Sequence, residues 1–158
     1  MQSHINAEDV SSGEGQGPFV DGYLLYLLAQ ASTAASAAFH AQLAEKGVSV
    51  PTWRILASLY PDRAMNVGDL ARACLAKQPT LTRQLDRLCA ERLTLRVHED
   101  RDRRAVLVSL TDRGREQASA LIQMAREHER QVLRDYEPAE AEALKAALRD
   151  LTRRAFGD

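Results

Sequence analysis

The chain has 158 residues, enough to bury one proper core, and carries a formal net charge of −1 with 45% hydrophobic and only 5% aromatic residues. Few glycines and many Ala, Leu, Arg and Glu favour a mostly helical protein. Two cysteines, Cys74 and Cys89, exclude a small disulfide scaffold, and no run of about 18 apolar residues is present to span a membrane.

Met1 to Pro18 lacks a basic segment followed by an apolar one, so it does not read as a signal peptide, and the cytoplasm is the expected location. Residues 1–17, rich in Ser, Gly, Gln and acids, are expected to form a flexible arm. From Phe19 one long helical pattern runs to about Lys46, roughly 42 Å at 1.5 Å per residue, and Gly47 is a natural stop. Ser49 and Pro51 open a second helix on which Trp53, Leu56 and Tyr60 share a face, and Pro61 ends it.

Asn66 is placed to cap a third helix with Leu70, Ala71 and Cys74 inward. Pro79 fits the first turn of a fourth helix ending near Arg92, with Leu81, Leu85, Leu88 and Cys89 as its buried stripe. Thr80, Arg83, Gln84 and Arg87 fall on the opposite face, a row suited to base edges and phosphates. The period then changes to two. Leu93, Leu95 and Val97 alternate with Thr94, Arg96 and His98, and Val106, Val108 and Leu110 alternate beyond a charged tip, Asp100-Arg101-Asp102-Arg103-Arg104. This is a two-stranded hairpin. Thr111 caps a fifth helix reaching about Asp135, and Pro138 opens a sixth with Leu144, Leu148 and Leu151 in line.

Two short helices followed by a basic hairpin can put side chains into a major groove and onto neighbouring phosphates or the minor groove. The charge agrees with that reading. Residues 1–50 hold one Lys against five acids, whereas residues 72–104 hold nine Lys or Arg against five acids. A local basic face matters more to a nucleic-acid partner than the total. The competing reading is an ordinary solvated surface, with Arg101, Arg103 and Arg104 paired to Asp100 and Asp102.

The stretches VGDLARACLAKQPTLTRQLDRLCAERL and HEDRDRRAVLVSLTDRG, in this order of elements, resemble the MarR family of winged helix-turn-helix regulators. The resemblance implies a single domain over 18–158: a winged helix-turn-helix lobe at 49–111, with dimerisation helices at 18–47 and 112–156. It implies an obligate homodimer on a pseudo-palindromic DNA operator, and repression relieved by a small aromatic acid of hydroxynicotinate, hydroxycinnamate or salicylate type. Residues 79–92 become the recognition helix and 93–110 the wing. The DNA-binding residues are then Lys77, Thr80, Thr82, Arg83, Arg87, Arg101, Arg103 and Arg104, with Arg103 the groove reader.

For the effector, the small-residue stretch Ala31 to Ala38 can line a cavity, with Ser36 offering a hydroxyl, or can serve close helix packing. Trp53 offers a flat apolar wall and His40 a polar partner, while Arg83 can serve ligand or DNA. Peroxide-sensing relatives carry a reactive cysteine early in the first long helix, and this chain has none there. His40, His98 and His128 are scattered, so neither a metal nor another cofactor is expected. No phosphate loop or nucleophile motif points to an enzyme. The alternative is a non-enzymatic helical dimer that binds another protein.

Overall fold

The computed structural model describes residues 17–98 and 106–156. Its elements are α1 (Phe19–Gly22), α2 (Leu24–Glu45), α3 (Val50–Leu59), β1 (Met65–Asn66), α4 (Val67–Ala73), α5 (Gln78–Ala90), β2 (Thr94–His98), β3 (Val106–Leu110), α6 (Asp112–Val132) and α7 (Pro138–Phe156). They fall in two compact units, one up to Ser36 and one from Ala37 onward. The predicted arm, apart from Gly17, lies outside the described residues.

In the first unit the predicted single helix is broken. Gly22, a poor helix former, ends α1, and Tyr23 is extended (φ −81°, ψ 114°) before α2 begins. Phe19 stacks on Tyr23 with ring centroids 5.1 Å apart. Phe19, Tyr23, Leu24, Leu25, Tyr26 and Leu27 are all exposed in the single chain.

In the second unit, Leu43, Ile55, Leu56, Leu59, Leu70, Leu81, Leu85, Leu88 and Val108 are fully buried in one core. The capping residues act as their chemistry suggests. Ser49 Oγ accepts from Thr52 N, Asn66 Oδ1 from Asp69 N, and Thr111 Oγ1 from Gly114 N. Three helices end alike, with a residue in the left-handed region and paired backbone bonds back into the last turn: Gly47 (φ 67°), Leu75 (φ 55°) and Arg92 (φ 57°). This closes α5 at Ala90, ahead of Arg92. Only the first stop uses glycine.

The predicted hairpin is part of a three-stranded antiparallel sheet of order β1-β3-β2. β1 pairs Met65 with Val108 and Asn66 with Leu107, and two residues are too few to leave a periodic signal. The strand register sets the facing of β2. Thr94 lies opposite Leu110 and Arg96 opposite Val108, so Thr94 and Arg96 share the face that packs on the lobe. Thr94 is buried, whereas Leu95 on the other face is exposed. Thr94 can sit inside because its hydroxyl has a partner in the Cys89 thiol, 3.3 Å away. Cys89 itself is half-buried, where full burial was expected.

The α6 helix ends at Val132, a little short of the predicted Asp135, and packs Ala118 and Leu121 into the core. The α7 helix is tied to α6 by Lys145 Nζ and Glu129 Oε2 at 3.1 Å. Leu144, Leu148 and Leu151 form an exposed line along α7. Among the described residues no helix is long and apolar enough to cross a membrane.

Candidate nucleic-acid interface

The α4–turn–α5 unit is built around its buried faces. Leu70 and Ala71 of α4 and Leu81, Leu85 and Leu88 of α5 face the core. Between them Cys74 is buried. Its carbonyl accepts from the Arg54 guanidinium of α3 at 3.4 Å, and its thiol lies 3.8 Å from Ser58 Oγ. The turn is therefore anchored to α3 from beneath.

What this leaves outside is a polar row. At about 100° per residue, Arg83 lies roughly 160° round the helix from Leu85, pointing away from the core. Lys77, the N-cap of α5, and Thr80, Thr82, Arg83 and Arg87 are all exposed. Thr82 Oγ1 donates back to the Gln78 carbonyl at 3.0 Å, and Arg87 Nε meets Glu91 Oε1 at 2.7 Å. Lys77 and Arg83 have no carboxylate partner among the described residues, so their charge is available. Gln84, expected on the outer row, is instead half-buried on a flank, and its buried Oε1 has no hydrogen-bond partner among the described residues.

The hairpin rises beside this row. Arg96 Nη2 of β2 reaches Asp86 Oδ1 of α5 at 2.6 Å, joining the strand to the helix. That pair was not singled out from sequence, because it links residues ten apart in elements of different period. The tip, with Arg101, Arg103 and Arg104, lies outside the described residues. Arg115, in the first turn of α6, ties that helix to the segment between α3 and β1. Its guanidinium donates to Asp62 Oδ1 at 2.9 Å, to Pro61 O at 3.3 Å and to Asp112 Oδ1 at 2.7 Å. The hydrogen bonds to Asp112 and then Asp62 raise its pKa from the ordinary arginine value.

The expected effector residues are spread over the chain. Ser36 Oγ donates to the Ser32 carbonyl at 2.7 Å within the first unit. In the second unit Trp53 and His40 are half-buried. Phe39 meets Trp53 edge-on at 5.2 Å and stacks on His128 at 5.5 Å. Arg83 projects to solvent from α5. A cleft of about 680 Å³ opens elsewhere, lined by Tyr60, Asp112, Arg115, Glu116, Ser119, Ala120 and Gln123. The small residues of α2 border a separate hollow of about 460 Å³, lined by Ala29, Gln30, Thr33 and Ala34. Among the described residues no cluster of three or more His, Cys, Asp or Glu is placed to hold a metal ion.

The MarR family model matches residues 48–106, which run from just before α3 to the first residue of β3. A MarR family transcriptional regulator from Silicibacter pomeroyi DSS-3 is 41% identical, with 88% of this chain and 99% of that one covered and a TM-score of 0.78. BpsR of Bordetella bronchiseptica, solved to explain regulation of its DNA binding by 6-hydroxynicotinic acid, is 26% identical, with 87% and 98% covered and a TM-score of 0.73. The transcriptional repressor MdtR of Bacillus subtilis (strain 168) is 34% identical over 70 residues. The match covers 44% of this chain and spans 45% of the repressor's length.

Proposed function

We propose that this chain, which belongs to the MarR family of transcriptional regulators, acts as a homodimeric repressor that grips a pseudo-palindromic operator and releases it on binding a small aromatic acid. The observation that carries the DNA-binding reading is the exposed Lys77, Thr80, Arg83 and Arg87 row on α5, held beside a hairpin whose tip sequence adds three arginines. Arg and Thr at the solvent face of a short second helix are the groups that read base edges and neutralise phosphates, and a basic hairpin extends the footprint.

The dimer reading rests on exposed apolar surface. Phe19, Leu24, Leu25 and Leu27 in the first unit, and Leu144, Leu148 and Leu151 on α7, are exposed in one chain, and a second copy would bury such stripes. Two recognition helices related by a two-fold axis would then meet successive major grooves about one helical turn apart.

The effector reading rests on the Phe39–Trp53–His128 ring cluster and its neighbour in sequence, His40, together with the similarity to BpsR. A planar acid suits an aromatic wall with a polar group nearby. Release requires that the acid favour a dimer shape whose half-site spacing mismatches DNA. The test uses the DNA immediately upstream of the protein's own gene in a gel-shift titrated with 6-hydroxynicotinate, salicylate and hydroxycinnamate. Binding that weakens steeply with salt, and release by one of these acids that is lost in Trp53→Ala or His40→Ala, are the expected results. Absence of any shift contradicts the DNA reading. Release that survives both substitutions moves the pocket away from Trp53.

A further inference from the structure

We propose that the Arg96–Asp86 ion pair is a positioning device for DNA binding, clamping the root of the wing to the recognition helix so that both meet the duplex in one fixed relation. The inference rests on the DNA-binding reading above and goes further, because it gives a role to a carboxylate on the recognition helix.

Three observations carry it. The register places Arg96 opposite the fully buried Val108, so its stem leaves the sheet on the side that faces the lobe, and its guanidinium emerges at α5, 2.6 Å from Asp86. Asp86 is one residue before Arg87 and three after Arg83, on the flank of the helix nearest the strand. Both side chains of the pair are about half exposed, 43% and 58%, so the pair adds little to folding stability. What it can fix is geometry. Arg96 is two residues from the end of β2, so the pair holds the direction in which this strand runs past α5.

The two roles open to Asp86 predict opposite signs. As a mere surface charge it repels phosphate, and neutralising it should tighten DNA binding. As the anchor of Arg96 it aims the wing, and neutralising it should loosen DNA binding despite the gain in net positive charge.

The experiment measures fluorescence anisotropy on a labelled duplex that the wild-type full chain selects from a randomised pool. It is run at several salt concentrations with wild type, Asp86→Asn, Arg96→Gln, the double variant and the charge swap Asp86→Arg with Arg96→Asp. Asp86→Asn is expected to lose roughly 5–10-fold in affinity, the low end of what one lost DNA contact costs, and to show a shallower salt dependence as wing contacts are lost. The double variant should be no weaker than Arg96→Gln alone, and the swap should recover part of the loss. Thermal midpoints should stay within a few degrees throughout, which separates aim from folding. Asp86→Asn binding as tightly as wild type, or more tightly, overturns the proposal while leaving DNA binding intact. A wild-type chain that selects no sequence overturns the DNA reading and this inference with it.

Discussion

The carbonyl oxygen of Leu93 sits so close to Gly114 that a Cβ built on residue 114 would lie 1.9 Å from it. Leu93 lies between α5 and β2 and Gly114 in the first turn of α6, so this approach ties the chain entering β2 to the chain leaving β3 at the root of the hairpin. Thr111 completes the junction: its hydroxyl donates to the Arg92 carbonyl at 2.6 Å and accepts from Gly114 N at 3.0 Å. Gly114→Ala forces backbone apart rather than a flexible side chain, and should cost about 1–3 kcal/mol or more. Urea denaturation should show the midpoint falling. An unchanged midpoint would mean that α6 can slide without consequence.

The Leu144, Leu148 and Leu151 line on α7 is exposed in one chain and has no core role there. Leu148→Glu should therefore leave the helical circular dichroism of the chain largely intact while shifting it from dimer towards monomer, because a carboxylate would have to be buried in the pairing face. Sedimentation velocity reads this directly. A variant that stays dimeric would place the pairing face away from α7.

Burial pushes the Cys74 thiol up from its ordinary value of 9.0, against the smaller opposing effects of the Ser58 hydroxyl and the Arg54 charge. The native state therefore holds this proton more tightly than the unfolded chain does. Its contribution is complete below about pH 9 and is lost as pH rises through the native value, because only the unfolded chain gains by ionising. The stability difference between wild type and Cys74→Ala should be constant from pH 6 to 8 and shrink above pH 9. Thiol reagents at neutral pH should modify native Cys74 slowly. Rapid native labelling at this site would contradict the burial argument.

Much of this architecture is legible in the sequence where one physical signal dominates. The Leu81-Leu85-Leu88 stripe, the Ser49, Asn66 and Thr111 caps and the outward Thr80, Arg83 and Arg87 row follow from helical spacing and side-chain chemistry. The sheet is harder to read. Leu95 and Val97 are apolar on the face that looks outward, so alternation alone does not tell which side is buried, and Thr94 goes inside with Cys89 as partner to its hydroxyl. Leu75 and Arg92 stop helices without glycine, which no propensity rule signals. At the candidate site the individual cations stand out, but the Arg96–Asp86 link depends on how a strand crosses a helix and becomes visible only in three dimensions. Gln84 was misjudged for a related reason: it sits on the boundary between the outer row and the core, where neighbouring elements decide burial.

The most direct test of the central claim is the salt dependence of affinity for the selected duplex, compared among wild type, Arg83→Ala on the recognition helix and Arg103→Ala at the wing tip. Each substitution should cost about 1–3 kcal/mol at fixed salt, with the fold retained. Removal of a phosphate contact should also lower the slope of log affinity against log salt by about one. Wild-type affinity and slope in both variants would contradict the account, because a DNA-binding surface made of the recognition helix and the wing should lose affinity with either cation removed.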